Sequence, residues 1–339
     1  MKIIYFEDHK LHNPPCQIVG GIKMDSIEIP ERIENIFTTL SLNKHELISS
    51  YSYNMEPVLR VHSKDYVYFL KEIYKLWRGD KSDTNPIFPD SFPPRVSGTK
   101  PKNRHSQVGW YCYDTTAPIL KNTFKSAISS VNCALTGADL LFESGKKVYA
   151  LCRPPGHHAG TNFYGGFCYL NNAAIAANHL QNLSSKKVAI LDIDYHHGNG
   201  TQQIFYESNQ VLFVSIHADP NDEYPYYSGY SDEKGKGDGT GYNLNITLPI
   251  GTKEKEYLNA VTIAVENINQ FNPEYLIISL GVDTLFNDPV GGFKLLPDSF
   301  KKIGKMLSVI NKPVLIIQEG GYLLESIGDC VYNFLDGIE

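Results

Sequence analysis

Between Lys186 and Gly200 the chain reads Lys-Lys-Val-Ala-Ile-Leu-Asp-Ile-Asp-Tyr-His-His-Gly-Asn-Gly: two lysines, a short apolar run, then polar residues without transition. A strand covered on both faces has this composition, and an abrupt polar end is what an open α/β sheet shows where it borders a ligand crevice. The strand is expected over 187–194. Side chains two apart in an extended chain share a face, so Asp192, Asp194 and His196 fall on one side as the run ends. Carboxylate and imidazole donors at this spacing suit a divalent metal ion. The alternative is a capped strand end whose acids are merely hydrogen-bonded. The Gly198-Asn199-Gly200 turn lets the backbone leave sharply and approach a ligand closely.

Similar runs recur, separated by helical patterns. Strands are expected at 2–6, 148–152, 211–216, 244–248, 275–282 and 314–317. Helices are expected at 31–40, at 64–77 behind Ser63 as a cap, at 124–144, 170–182 and 254–271, and last around Phe300, Ile303, Leu307 and Ile310. Strands alternating with helices imply an α/β fold with a central parallel sheet flanked by helices. Without linker, repeat or low-complexity segment, residues 1–339 are expected to form a single domain. Residues 78–106 break the pattern, with Pro86, Pro89, Pro93, Pro94 and Pro101 and no surviving period. Such a stretch is either a disordered segment or, as expected here, an ordered excursion that shapes a pocket mouth or a subunit contact.

The net charge of −6, with no block of like charge, argues against a nucleic-acid partner. The opening Met-Lys-Ile-Ile-Tyr-Phe-Glu-Asp is broken by acids and reads as neither signal peptide nor membrane span, so a cytoplasmic enzyme is expected. Six cysteines lack CxxC spacing and are expected to be buried reduced thiols.

The polar residues are placed alike. His157 and His158, the Asp192/Asp194/His196 group, Asp283 and Tyr322 each follow the carboxyl end of a different expected strand, where open α/β sheets bind ligands. Asp194, His196 and Asp283 make a three-ligand set with positions left for water and substrate, the catalytic pattern. Such a metal polarises a carbonyl and acidifies bound water. One of His157 and His158, on a Pro-Pro-Gly turn, is a candidate general base and acid; exposed loop histidines are the alternative. Tyr322, behind two glycines, is a candidate donor to an oxyanion.

RPPGHHAG (153–160), GGFCYLNNAA (165–174), LDIDYHHGNGTQ (191–202), SLGVDTLFNDP (279–289) and EGGY (319–322) resemble the histone deacetylase superfamily, and within it the bacterial acetylpolyamine amidohydrolases. The likeness runs nearly end to end, from FEDHKL (6–11) onward. It implies an arginase/deacetylase-type fold and zinc-dependent removal of acetyl groups from amines, one zinc per subunit. By the resemblance Asp194, His196 and Asp283 are the zinc ligands. His158 is the general base and acid, His157 its electrostatic partner hydrogen-bonded to Asp192, and Tyr322 polarises the acetyl carbonyl. Some relatives carry Asp where this chain has Asn199. A neutral amide orients the ring without adding charge, so His158 is expected to be less basic here. Phe167 and Tyr224 are implied as aromatic tunnel walls, with the Gly166 backbone near the substrate amide. Potassium is implied at backbone oxygens of Asp192, Asp194 and His196 with the Ser215 hydroxyl, and a second potassium at carbonyls of Phe205, Ser208, Val211 and Tyr242. Relatives with a comparable excursion pair through it, which implies a homodimer.

Polyamine-specific relatives place acids near the tunnel mouth where this chain has Gln17, His105 and Thr116. The excursion carries Arg95, Lys100, Lys102 and Arg104 and no carboxylate between 95 and 105, so a cationic rim is expected. The substrate that the resemblance leads one to expect is a linear N-acetylated amine, either a small molecule or an acetyl-lysine. Two further classes fit the residues less well. A two-metal ureohydrolase needs more bridging carboxylates than Asn199 and Asp283-Thr-Leu supply. A catalytically dead binding module would not need the full set of ligands, histidines and tyrosine.

Overall fold

The computed structural model describes residues 1–43, 45–79, 85–93 and 98–339. Among the described residues ten strands are formed: β1 (Lys2–Tyr5), β2 (Gln17–Val19), β3 (Ile22–Met24), β4 (Glu46–Ser49), β5 (Val148–Ala150), β6 (Val188–Asp192), β7 (Val211–Ala218), β8 (Asn243–Leu248), β9 (Tyr275–Leu280) and β10 (Val314–Gln318). Eight of them make one parallel sheet in the order β4-β1-β5-β10-β9-β6-β7-β8, while β2 and β3 pair as a separate hairpin.

The central strands are buried on both faces, as their unbroken apolar runs require. Alternate side chains go to opposite layers. Ile4, Ala150, Ile190, Ile277 and Leu315 pack beneath helices Lys64–Arg78, Thr123–Ser144 and Asn172–Ser184. Ile3, Tyr149, Leu191, Ile278 and Ile316 pack beneath helices Glu31–Ser41, Glu254–Phe271, Pro297–Leu307 and Leu324–Ile338. The result is the expected single α/β domain, a parallel sheet between two helical layers.

Several bounds differ from expectation. β6 stops at Asp192 rather than at 194, because the Asp192 carboxylate turns back to accept the Asp194 N–H at 3.2 Å. β5 and β9 likewise end two residues early, giving way to the loops that carry the site. The helix around Phe300 is not the last: Leu324–Ile338 follows and buries Ile327, Val331, Phe334 and Leu335. All six cysteines are free and buried. Among the described residues no helix is long and apolar enough to cross a membrane.

The excursion is packed where it is described. Ile87 is buried and exchanges backbone hydrogen bonds with Ile119 at 2.9 and 3.0 Å, and Lys100 pairs with Asp65 on the helix Lys64–Arg78. Residues 80–84 and 94–97, Arg95 among them, lie outside the described residues.

Candidate active site

The sheet order places the chemistry. β5, β10, β9 and β6 are consecutive neighbours at the middle of the sheet. Past their carboxyl ends come His157 and His158, Glu319 to Tyr322, Asp283, and Asp194 with His196, respectively. Segments far apart in sequence therefore meet at one crevice.

Backbone N–H groups aim the two carboxylates. Asp194 accepts from Gly320 (2.8 Å) and from His196 (2.9 Å), and Asp283 accepts from Tyr195 (2.9 Å). A side chain at Gly320 is excluded: a Cβ there would lie 2.5 Å from both Asp194 Oδ2 and Asp283 Oδ2. His196 Nδ1 faces both acids, 3.3 Å from Asp194 Oδ1 and 3.1 Å from Asp283 Oδ2. Burial and the Asp194 charge push Asp283 up to about 7. Against its burial, Asp194 and Asp283 hold His196 up at about 10. The three thus share a proton between buried oxygens and an imidazole nitrogen, and a divalent cation neutralises the same charge with the same donor atoms. The donor set fits a metal ion. A second cluster, His157, Cys168 and Glu319, fits less well. Burial pushes the Cys168 thiol well up, and Glu319 already accepts the N–H groups of Gly156 (2.6 Å) and His157 (3.2 Å).

The adjacent histidines lie at the bottom of the crevice, both nearly fully buried. His157 Nδ1 donates to Asp192 at 3.0 Å; against burial, the Asp192 and Asp194 charges hold it up at about 10, so it is an imidazolium. His158 Nδ1 donates to Asn199 Oδ1 at 2.7 Å. Burial, then the charges of His157 and His196, drive His158 well below its ordinary value. Its Nε2 is a free base.

Tyr322 is held by residues that the sequence did not single out. Its N–H and that of Leu323 donate to Asp288 at 2.7 and 3.1 Å. The Arg32 guanidinium stacks 4.3 Å from the ring centroid while donating to the carbonyls of Gly321 (2.6 Å) and Glu319 (2.7 Å). Glu28 partners both Arg32 (2.8 Å) and Arg153 (2.9 Å), all three fully or almost fully buried. Burial raises the Tyr322 phenol well above 10, with Arg32 opposing, so it stays protonated and able to donate. The available signal was an arginine on the apolar face of the 31–40 helix.

A cavity of ≈ 390 Å³ opens onto these groups, lined among others by Gln17, Gly166, Phe167, Tyr224, Glu223 and Thr116. Phe167 packs 5.5 Å from Tyr322, and Tyr224 stands perpendicular to His158 at 5.1 Å. The expected cationic rim is not formed by the described residues. Lys100 is turned to Asp65, Arg104 lies over Tyr68 at 5.0 Å, and His105 stacks on Trp77 at 4.5 Å, while the cavity lining holds no lysine or arginine. Ion pairing and stacking on the helix Lys64–Arg78 draw these side chains away from the opening. Glu223, which the sequence reading passed over, brings a carboxylate to the lining. Ser215 stands opposite Asp192 in register. Phe205, Ser208, Val211 and Tyr242 flank the entry to β7, where Ser208 N–H donates to Phe205 and Phe213 N–H to Tyr242.

The family described as Histone deacetylase domain matches residues 26–338. The chain is 40% identical to acetylpolyamine amidohydrolase 2 of Pseudomonas aeruginosa, covering all of this chain and 99% of that one. It is 38% identical to the acetylpolyamine amidohydrolase of Mycoplana ramosa, over all of this chain and 99% of the relative. The crystal structure of acetylpolyamine aminohydrolase from Burkholderia pseudomallei superposes with a TM-score of 0.95 at 34% identity, covering all of this chain and 98% of the other. With sheet order, converging side chains and near-complete coverage in agreement, the chain belongs to the histone deacetylase family and is a deacetylase.

Proposed function

We propose that this protein is a zinc-dependent amidohydrolase that removes acetyl groups from linear N-acetylated amines of the acetylpolyamine kind. The observation that carries the reading is the meeting of Asp194, His196 and Asp283 beside a neutral His158 in an aromatic-walled cavity whose lining, among the described residues, has no lysine or arginine. A polyamine keeps cationic nitrogens beyond its acetylated end, and a lining with Glu223 suits such a chain. Full-length relatives named for acetylpolyamines favour this over acetyl-lysine in a protein.

When bound, zinc supplies Lewis acidity, lowering the pKa of water and polarising the acyl oxygen. The chain supplies the rest. His158 Nε2 takes the proton of the attacking water and returns it to the leaving nitrogen, since Nδ1–H is fixed on Asn199. His157 remains a charged pair with Asp192 and favours the build-up of negative charge at the acyl oxygen. Tyr322 donates its hydroxyl to that oxygen. Phe167 and Tyr224 hold the methylene chain and exclude water. Asn199 is occupied in orienting His158 and carries no charge, which disfavours a two-metal ureohydrolase.

The reading includes a potassium ion at backbone oxygens of Asp192, Asp194 and His196 and the Ser215 hydroxyl. In support, His217 donates Nε2–H to Gly229 O (2.8 Å), so Ser215 donates to its Nδ1 (2.8 Å) and keeps its own lone pairs for a cation. The second potassium site and the homodimer also belong to the reading.

The experiment compares acetylputrescine, acetylcadaverine and an acetyl-lysine peptide on one preparation, with metal analysis. Turnover of the acetyldiamines, one zinc per chain and loss of activity with chelator are expected. A clear preference for the peptide would replace the substrate assignment, and chelator-insensitive turnover would sink the mechanism.

A further inference from the structure

Asp114 was not among the expected site residues, and it touches none of the metal-binding donors. Its carboxylate nevertheless ties the site together. Oδ2 accepts the Gly166 N–H at 2.7 Å, the Tyr224 hydroxyl at 2.8 Å and the Thr116 hydroxyl at 2.8 Å, while Oδ1 accepts the Thr116 N–H at 3.1 Å. Among the described residues no lysine, arginine or histidine forms an ion pair with it. Three hydrogen bonds on one charged oxygen are short and strong.

Two of those bonds reach opposite walls of the cavity. Gly166 and Phe167 have consecutive positive φ values, +53° and +65°. For Phe167 that backbone is strained and persists only where its surroundings hold it. The Gly166 N–H bond is one such restraint. Tyr224, on the facing wall, spends its one hydroxyl proton on Asp114, so the 2.5 Å contact between its oxygen and the Tyr113 hydroxyl is donated by Tyr113. The Tyr224 ring in turn stands perpendicular to His158 at 5.1 Å, while Asn199 Oδ1 holds the His158 Nδ1–H at 2.7 Å. The donors of this short chain point the same way, from Tyr113 through Tyr224 to the carboxylate. Hydrogen bonds so aligned polarise and stiffen one another.

We propose that Asp114 is a positioning residue of the deacetylase site: through Gly166 and Tyr224 it fixes the two cavity walls against each other, and so holds the Tyr224 ring against His158. On this account the Tyr224 hydroxyl, and not only its ring, serves the reaction. The proposal rests on the function assigned above.

The test uses Asp114→Asn, Tyr224→Phe and the double variant of the full chain, assayed with acetylputrescine. Each single variant is expected to lower kcat about tenfold, misalignment of reacting groups being costly, with KM within about threefold of wild type. The double variant is expected to lose no more than either alone, because both break the same Asp114–Tyr224 bond. Tyr224→Phe preserves the aromatic wall, so a purely structural or wall-forming role predicts wild-type kcat. That result, or losses that multiply in the double variant, overturns the proposal. A second measurement needs no turnover: hydrogen exchange at the Gly166 amide should be faster in Asp114→Ala, and unchanged exchange overturns the tie. Absence of wild-type turnover would sink the functional assignment instead, leaving the exchange result to decide the tie.

Discussion

The base role proposed for His158 depends on its being kept neutral. Burial and the two neighbouring imidazoles lower its affinity for a second proton, and Asn199 fixes which nitrogen carries the first. It is not among the three candidate metal donors, Asp194, His196 and Asp283. His158→Ala should therefore cost about 10²–10⁴ in kcat while metal content, read by elemental analysis, stays at the wild-type level. Loss of metal along with activity would mean its role is misassigned. Arg32 makes a second residue-level prediction. Lysine in its place keeps the charge but cannot hold two carbonyls and Glu28 with one planar group. Arg32→Lys should lower kcat by about tenfold, the order expected when a transition-state donor is misplaced, with a smaller change in KM. The candidate metal donors and the histidines were legible in the sequence because each sits in a short motif at a strand end. Arg32 was not, since its partners Gly321 and Glu319 lie 289 and 287 residues away.

Helix Asn172–Ser184 shows how an element can position a site that it does not enter. Its cap, Asn171, is fully buried and accepts the Ala174 N–H at 2.9 Å. The same side chain donates to Ala159 O (2.9 Å) and Thr201 Oγ1 (3.0 Å), tying the helix start to the loop after His158 and to the helix Asn199–Phe205. Asn171→Ala removes the cap and leaves the Ala159 carbonyl short of a donor. It should lower unfolding free energy by about 2 kcal/mol, measured by urea denaturation. A change below about 0.5 kcal/mol would show that water or a neighbour replaces the side chain. Elements with a buried periodic face were readable in advance, whereas β4 was not. Its Glu-Leu-Ile-Ser sits at the sheet edge and is largely exposed, so neither an apolar run nor a clean alternation marks it. The helix Leu324–Ile338 went unread although its apolar face is regular; glycines at 328 and 337, weak helix formers, blur it.

Across the whole molecule, buried neutral histidines couple stability to pH. His9, His62 and His217 are each held at about 4, mainly by burial. His62 uses both nitrogens, one donating to Gly160 O (2.9 Å) and one accepting the Asn171 N–H (2.9 Å), so a second proton would break the latter. Between about pH 6.5 and pH 4 the unfolded chain binds a proton there that the folded chain refuses. Stability is thus full above 6.5 and falls with pH through this interval, by about 1.4 kcal/mol per unit for one site. Asp283 and Glu319, pushed up to about 7 chiefly by burial, act with the opposite sign over much of the same range. The measurement is therefore a difference: unfolding free energy of His62→Gln should depend less steeply on pH than wild type by that amount. Parallel curves would mean that His62 is protonated in the folded state.

By itself the sequence determined the alternation of strands and helices, the parallel sheet, the donors at strand ends and the reduced cysteines, because local period and composition carry that information. Only the tertiary structure decided that Lys100, Arg104 and His105 turn away from the cavity, that Arg32 lies on Tyr322, and that Asp114 joins two walls. Each is a contact between segments distant in the chain, formed when the sheet's strand order brings them together. Spacing along a sequence says nothing of such meetings.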